Sequence, residues 1–200
     1  MAMTQQQILQ PYIGKWAWTL ASGLFTIVLA VVAFYLPVID WMPRGGLVGW
    51  LLFLAGMAEL TFGWKRGLDV AGKAAVGAGL VTAAAGVLFI ANPTAAYFPV
   101  ANLVMAWLLL RGAWLLVMAF SGRAGRRVGA WLALSGAADV LLGVSLLAGL
   151  PIATAVNALF GPTREIVAQF ALILAASFLV TGVSQVAIAS LQRARSRAAD

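Results

Sequence analysis

Three ionisable side chains, Glu59, Arg111 and Asp139, fall inside stretches that are otherwise apolar. A charge at lipid depth is costly, so each is a candidate for function by default. The chemistry open to them is narrow. The chain holds no histidine and no cysteine, which removes the commonest general base, the usual metal and haem ligands, disulfides and a thiolate nucleophile. No GxSxG, P-loop or metal-type carboxylate cluster is present. Retinal-type attachment needs an intramembrane lysine, and Lys15, Lys65 and Lys73 all stand at the ends of apolar stretches. The expectation is a protein that is not an enzyme, with no catalytic residues, no cofactor and no metal. Ion pairing, a polar lining for a proton or solute path, and contact with a partner chain remain.

The elements that must position these groups are membrane helices. Of the 200 residues, 63% are apolar and 10% charged, against roughly 45–50% and 25% in an ordinary soluble domain. Mean hydropathy is +0.98. The expected fold is all-α: a single polytopic membrane domain over 1–200 with spans at about 16–36, 46–64, 74–92, 98–120, 128–149 and 166–190, each long enough to cross about 30 Å of hydrocarbon. Met1 to Tyr12 lacks the basic start of a removable leader, so the first span reads as an uncleaved anchor. Short connections make successive helices antiparallel neighbours. Only the outer segment 151–165 is long enough to hold something of its own, and Ile152 to Phe160 reads there as a short interfacial helix closed by Gly161 and Pro162.

Orientation follows from the cations. Lys15, Lys65, Arg66, Lys73, Arg123, Arg126, Arg127, Arg193, Arg195 and Arg197 fall on one side of this layout, and Arg44 and Arg164 on the other. The positive-inside rule then places both termini in the cytoplasm. Trp16, Trp18, Trp64 and Trp131 fall at the basic helix ends and Trp41 at an outer one, as amphipathic rings prefer, while Trp50, Trp107 and Trp114 read as deeper packing residues. The expected partners are the lipid bilayer and, for the basic tail at 191–200, anionic headgroups. With no aromatic interleaving, the formal charge of +7 does not point to nucleic acid.

The spans repeat. Gly23, Thr26, Ala30 and Pro37 match Gly79, Thr82, Gly86 and Pro93 at identical spacing, and Gly136, Asp139, Gly143 and Pro151 repeat the pattern with one extra residue. Gly56, Gly112 and Gly182 recur in the even spans, 33 residues after Gly23, 33 after Gly79 and 46 after Gly136. The chain thus reads as one helical hairpin copied three times (about 15–66, 73–122 and 128–190), with small residues that let helix backbones approach in lipid. In this layout and motif the sequence resembles the HdeD-like acid-resistance membrane proteins over roughly residues 15 to 190. The resemblance implies a bacterial inner-membrane protein linked to acid or stress tolerance, with no catalytic residues to carry over. The lengthened 151–165 segment departs from the compact pattern.

The repeat and the helical rise place the polar groups. At about 1.5 Å per residue, Arg111 lies roughly 14 Å and Asp139 roughly 16 Å from the cytoplasmic helix ends, so the two are expected to pair. Glu59 lies only about 8 Å in and reads as a locally solvated carboxylate within reach of Lys65 or Arg66. Its other reading is a buried acid that titrates under acid stress. Thr26, Thr82 and Asp139 share one repeat position and, with Gln185, suggest a central polar cluster, although such threonines commonly bond back to their own helix. Besides the acid-tolerance reading, two functions fit: an accessory subunit of a larger membrane complex (or a homo-oligomer), and a small-solute or proton channel.

Overall fold

The computed structural model describes residues 15–35, 44–67, 69–91, 97–121, 125–160 and 164–197. Six α-helices account for almost all of them: α1 (Lys15–Tyr35), α2 (Arg44–Arg66), α3 (Val70–Ala91), α4 (Tyr97–Phe120), α5 (Arg126–Phe160) and α6 (Arg164–Arg197). Each contains a stretch long and apolar enough to cross a membrane. The described residues include no strand. Large apolar side chains face outward on every helix, among them Val28, Leu54, Leu80, Leu110, Leu141 and Leu179. Exposed apolar surface all round the bundle suits acyl chains and not water.

Local signals set the connection between α2 and α3. Gly67 follows the last residue of α2 with φ of 96° and its N–H donates to the Trp64 carbonyl at 3.0 Å. That left-handed conformation is the usual helix stop and favours glycine. Two residues later Asp69 caps α3: its Oδ1 accepts from the Gly72 N–H at 2.7 Å, and its carbonyl accepts from the Lys73 N–H at 2.8 Å. Pro37 and Pro93 follow α1 and α3 by two residues. Pro151 behaves differently: α5 runs through it without a break to Phe160.

Ile152 to Phe160 is therefore helical, as the sequence suggests, but as a continuation of α5 and not as a separate short helix; residues 161–163 lie outside the described residues. A proline removes one backbone donor and fixes one φ, which kinks or weakens a helix but ends it only when the following residues do not continue it. Ile152 to Phe160 does continue it, so α5 reaches about 16 Å beyond Gly149 at 1.5 Å per residue.

The six helices form a closed ring in chain order. Each packs on its predecessor and successor, and α6 returns to α1. The most extensive interfaces join an even helix to the next odd one: α2 to α3, α4 to α5, and α6 to α1. At the centre of each, two glycines face one another. A Cβ built on Gly112 would lie 2.8 Å from the Gly136 carbonyl, one on Gly79 2.8 Å from that of Gly56, and one on Gly182 2.8 Å from that of Gly23. The sequence hairpins (α1–α2, α3–α4, α5–α6) are thus joined to one another by tighter contacts than those within them. Ring closure through Gly182 and Gly23 repeats the contact that joins the first unit to the second. At the basic end, Lys65 and Arg193 stack over Trp18 and Trp16 of α1, 4.2 Å and 4.9 Å from the ring centroids, adding cation–π contacts from both of its neighbours.

The ring interior has two halves. Away from the basic end it is packed with apolar side chains: Leu52, Val104, Leu108 and Leu174 have no exposed surface, and Trp107 meets Phe178 edge-on at 6.1 Å between centroids. Trp107 is therefore core, but Trp50, also read as packing, faces lipid at 48% exposure. Toward the basic end the interior is mixed: buried Ala74, Ala78, Leu115, Leu132 and Ile188 pack together beside buried Glu59, Arg111, Ser135 and Ser184.

Candidate functional site

The repeat brings three positions from each unit to the ring axis. Thr26, Thr82 and Asp139 occupy one; Ala55, Arg111 and Thr181, each just before the shared glycine, a second; Glu59, Leu115 and Gln185 a third. All but the half-buried Gln185 are buried. Even and odd helices run in opposite directions past paired glycines, which fixes their relative depths. At about 1.5 Å per residue, Asp139 lies about 4.5 Å from the glycine level away from the basic end, and Glu59 about 4.5 Å toward it. Arg111 falls between them.

Its guanidinium joins four helices. Arg111 Nη1 donates to Asp139 Oδ2 on α5 and, at 3.1 Å, to Thr181 Oγ1 on α6. Nη2 donates to Glu59 Oε1 on α2 at 2.6 Å. Ser177 holds the other Asp139 oxygen, donating to Oδ1 at 2.6 Å. Ser135 Oγ and Thr181 Oγ1 share a hydrogen bond of 3.3 Å. Gln185 Nε2 approaches Glu59 Oε1 at 3.4 Å. Charge-assisted bonds from a planar fork to two carboxylates are the strongest that side chains offer in a dry interior. The cluster carries two carboxylates against one guanidinium, leaving one formal negative charge.

The structure brings Arg111 and Asp139 together, as their matching depths predict. It corrects the reading of Glu59, which is 3% exposed and pairs with Arg111 instead of Lys65 or Arg66. Distance along the helix says nothing about which way a side chain points, and Glu59 is on the face that carries Gly56 to α3. Thr26 and Thr82 stand apart from the charged cluster: each donates to its own helix, to the Ser22 and Ala78 carbonyls at 2.9 Å. Thr82 also accepts from Trp107 Nε1 at 3.0 Å. Ser135, Ser177 and Thr181 were not singled out from the sequence. Thr181 was within reach, because it stands in the third repeat where Arg111 stands in the second.

The Thr82 bond gives a measurable outcome. Thr82→Val strands the buried Trp107 N–H, at an expected cost of about 1–3 kcal/mol, and Thr82→Ser, which keeps the hydroxyl, recovers most of it. Denaturation of the purified protein in detergent checks this; equal stability of the valine variant and wild type would show that the bond contributes nothing.

On the basic side of Arg111 lies a cavity of about 40 Å³ open to water centres, against roughly 10–15 Å³ needed for one water. Ser22, Glu59, Ser135, Ser184 and Gln185 line it, with Arg66 near the end of α2. Arg66 is 5% exposed and its Nε lies 3.5 Å from Asp69 Oδ1. The Gln192 amide bridges Arg66 and Thr19, accepting from Arg66 Nη2 at 2.7 Å and donating to Thr19 Oγ1 at 3.2 Å. Among the described residues, four buried side-chain polar atoms have no hydrogen-bond partner in the protein: Glu59 Oε2, Gln185 Oε1, Ser184 Oγ and Arg111 Nε. All four belong to side chains that line the cavity.

No curated protein and no solved structure matches the chain. Residues 77–148 match a family described as a short repeat of unknown function (DUF308). The matched stretch runs from α3 into α5 and contains Arg111, Asp139 and their glycines Gly112 and Gly136, while Glu59 and Gln185 lie outside it. Over those residues the chain is similar to a repeat family that contains the HdeD-like proteins.

Proposed function

We propose that the protein is a non-enzymatic bacterial inner-membrane protein of the HdeD-like kind that serves acid or stress tolerance, with its basic end and both termini in the cytoplasm. The observation that carries this reading is the buried Arg111 between Glu59 and Asp139, bordering a cavity on the basic side. A buried charge cluster with an excess carboxylate is a costly feature to keep for packing alone. The short-repeat match over residues 77–148 supports the family assignment. The excess of cations at one end supports the orientation.

The apolar packing around Trp107 and Phe178 weighs against a channel, since it fills the half of the ring beyond Arg111. Of the even-helix tryptophans that could dock an accessory subunit onto a larger complex, Trp107 is buried and Trp114 is half-buried with its Nε1 donating to the Ala74 carbonyl at 3.1 Å, which leaves Trp50 as the exposed one. The test is survival of acid shock by the source bacterium with the gene deleted. Survival is expected to fall on deletion and to return when the wild-type gene is supplied; equal survival with and without the gene would refute the reading.

A further inference from the structure

We infer that Glu59 is a proton-binding site, with Oε2 taking the proton and the Gln185 carbonyl oxygen receiving the resulting hydrogen bond. Glu59 is 97% buried, and only one of its oxygens is engaged: Oε1 accepts from Arg111 Nη2 at 2.6 Å and from Gln185 Nε2 at 3.4 Å. Oε2 has no partner, and neither has Gln185 Oε1 on the neighbouring amide. An ionised carboxylate and an amide oxygen only accept. The two acceptors belong to residues that line one cavity, and a proton on Oε2 turns one of them into a donor.

The surroundings select Glu59 over the other acid. Both oxygens of Asp139 are held, by Ser177 and by Arg111. Facing Glu59 are Arg111 from α4, Asp139 from α5 on the far side of that arginine, and Arg66 farther along α2 itself. From the other helices the cavity receives only neutral groups: Thr19 and Ser22 from α1, alanines from α3, and Thr181, Ser184 and Gln185 from α6. The cluster carries one negative charge beyond neutrality, so one proton balances it. A hydronium ion in the cavity gives that proton to Oε2 and leaves as water, and Oε1 goes on accepting from Arg111. No redox change is involved.

Access is one-sided. The cavity lies toward the basic end, and the apolar packing closes the opposite side. The proton therefore enters and leaves by the same end, as in a sensor and unlike a conduit. This deepens the acid-tolerance reading and rests on it for physiological meaning, while the binding event itself is tested separately.

The experiment is infrared difference spectroscopy of the full-length protein in lipid nanodiscs, stepped from neutral to acid pH. A protonated-carboxyl band is expected in wild type and absent in Glu59→Gln; in Asp139→Asn, where Glu59 and Arg111 already balance, it is expected only at more acid pH than in wild type. In Gln185→Leu it is expected at higher frequency, because the acid loses its hydrogen-bond acceptor. Glu59→Asp, which keeps the charge on a shorter stem, is expected to move the band and serves if the glutamine variant does not fold. An unchanged band in Glu59→Gln, or in Glu59→Asp, overturns the site. A band that ignores Gln185→Leu overturns the Gln185 contact. Sodium chloride at neutral pH producing the same Glu59-dependent difference would identify a monovalent cation as the ligand and overturn the proton. A negative spectrum together with an acid-sensitive deletion strain would remove the proton site and leave the functional reading standing; the reverse combination would do the opposite.

Discussion

Arg111→Met alone is expected to cost the folded ring about 3–5 kcal/mol, while the triple variant Arg111→Met, Glu59→Gln, Asp139→Asn is expected to recover most of that loss. Removing the guanidinium leaves Glu59 and Asp139, 3% and 1% exposed, as two like charges with no counter-ion. Breaking a buried pair is expensive because the orphaned charge remains, whereas replacing all the partners by neutral groups removes the desolvation cost together with the attraction. Arg111→Lys is expected to fall between. Its ammonium keeps the charge but lacks the fork that reaches Asp139, Thr181 and Glu59 together. Denaturant titration in detergent, followed by circular dichroism, measures all three. A triple variant no more stable than Arg111→Met would show that the charges are not what holds these helices in register. An Arg111→Met variant within about 1 kcal/mol of wild type would show that the cluster is open to solvent, since exposed ion pairs contribute no more than that.

How much of this arrangement was legible in the sequence depends on the kind of information each feature needs. Apolar runs, cation placement and the glycine intervals are local, and they specify six spans and a threefold repeat. Arg111 and Asp139 could be paired because they lie on successive antiparallel helices, where depth alone decides the match. Glu59 could not be placed that way. Its partner is two helices along the chain, and the pairing exists only because the ring brings α2 and α4 to a common axis. Ring closure itself was hidden for the same reason: chain order names neighbours, but the return of α6 to α1 is a contact between residues as distant as Gly23 and Gly182. The repeat contained a clue. If α2 meets α3 and α4 meets α5 through paired glycines, the two unused glycines, one on α1 and one on α6, have only each other left. Pro151 misled because its equivalents in the first two units both stand just past a helix end, and the third helix is longer.

The glycine contacts make the second large prediction, and its value lies in the gradient. Gly56→Ala is expected to destabilise most, by about 1–3 kcal/mol, the usual cost of forcing atoms into a packed interior. The new methyl would meet the Ala83 backbone and stand 2.7 Å from the Gly79 carbonyl oxygen. Backbone in a packed helix cannot step aside. Gly112→Ala and Gly23→Ala meet one carbonyl each, at 2.8 and 2.9 Å, and a valine side chain at 2.9 Å, so they are expected to cost less. At Gly143 the nearest atoms belong to the Leu109 and Leu108 side chains, the closest at 3.0 Å, and a leucine tip can rotate. Gly149 has nothing within 4 Å, so Gly149→Ala is expected to be neutral or to stabilise α5 by up to about 1 kcal/mol through helix propensity. Because Gly56, Gly112 and Gly23 report on the three successive seams, losses at all three would show that the ring is held at each, α6–α1 included. Tolerance of Gly23→Ala at wild-type stability, beside a damaged Gly56→Ala, would mean that the ring is open between its first and last helices.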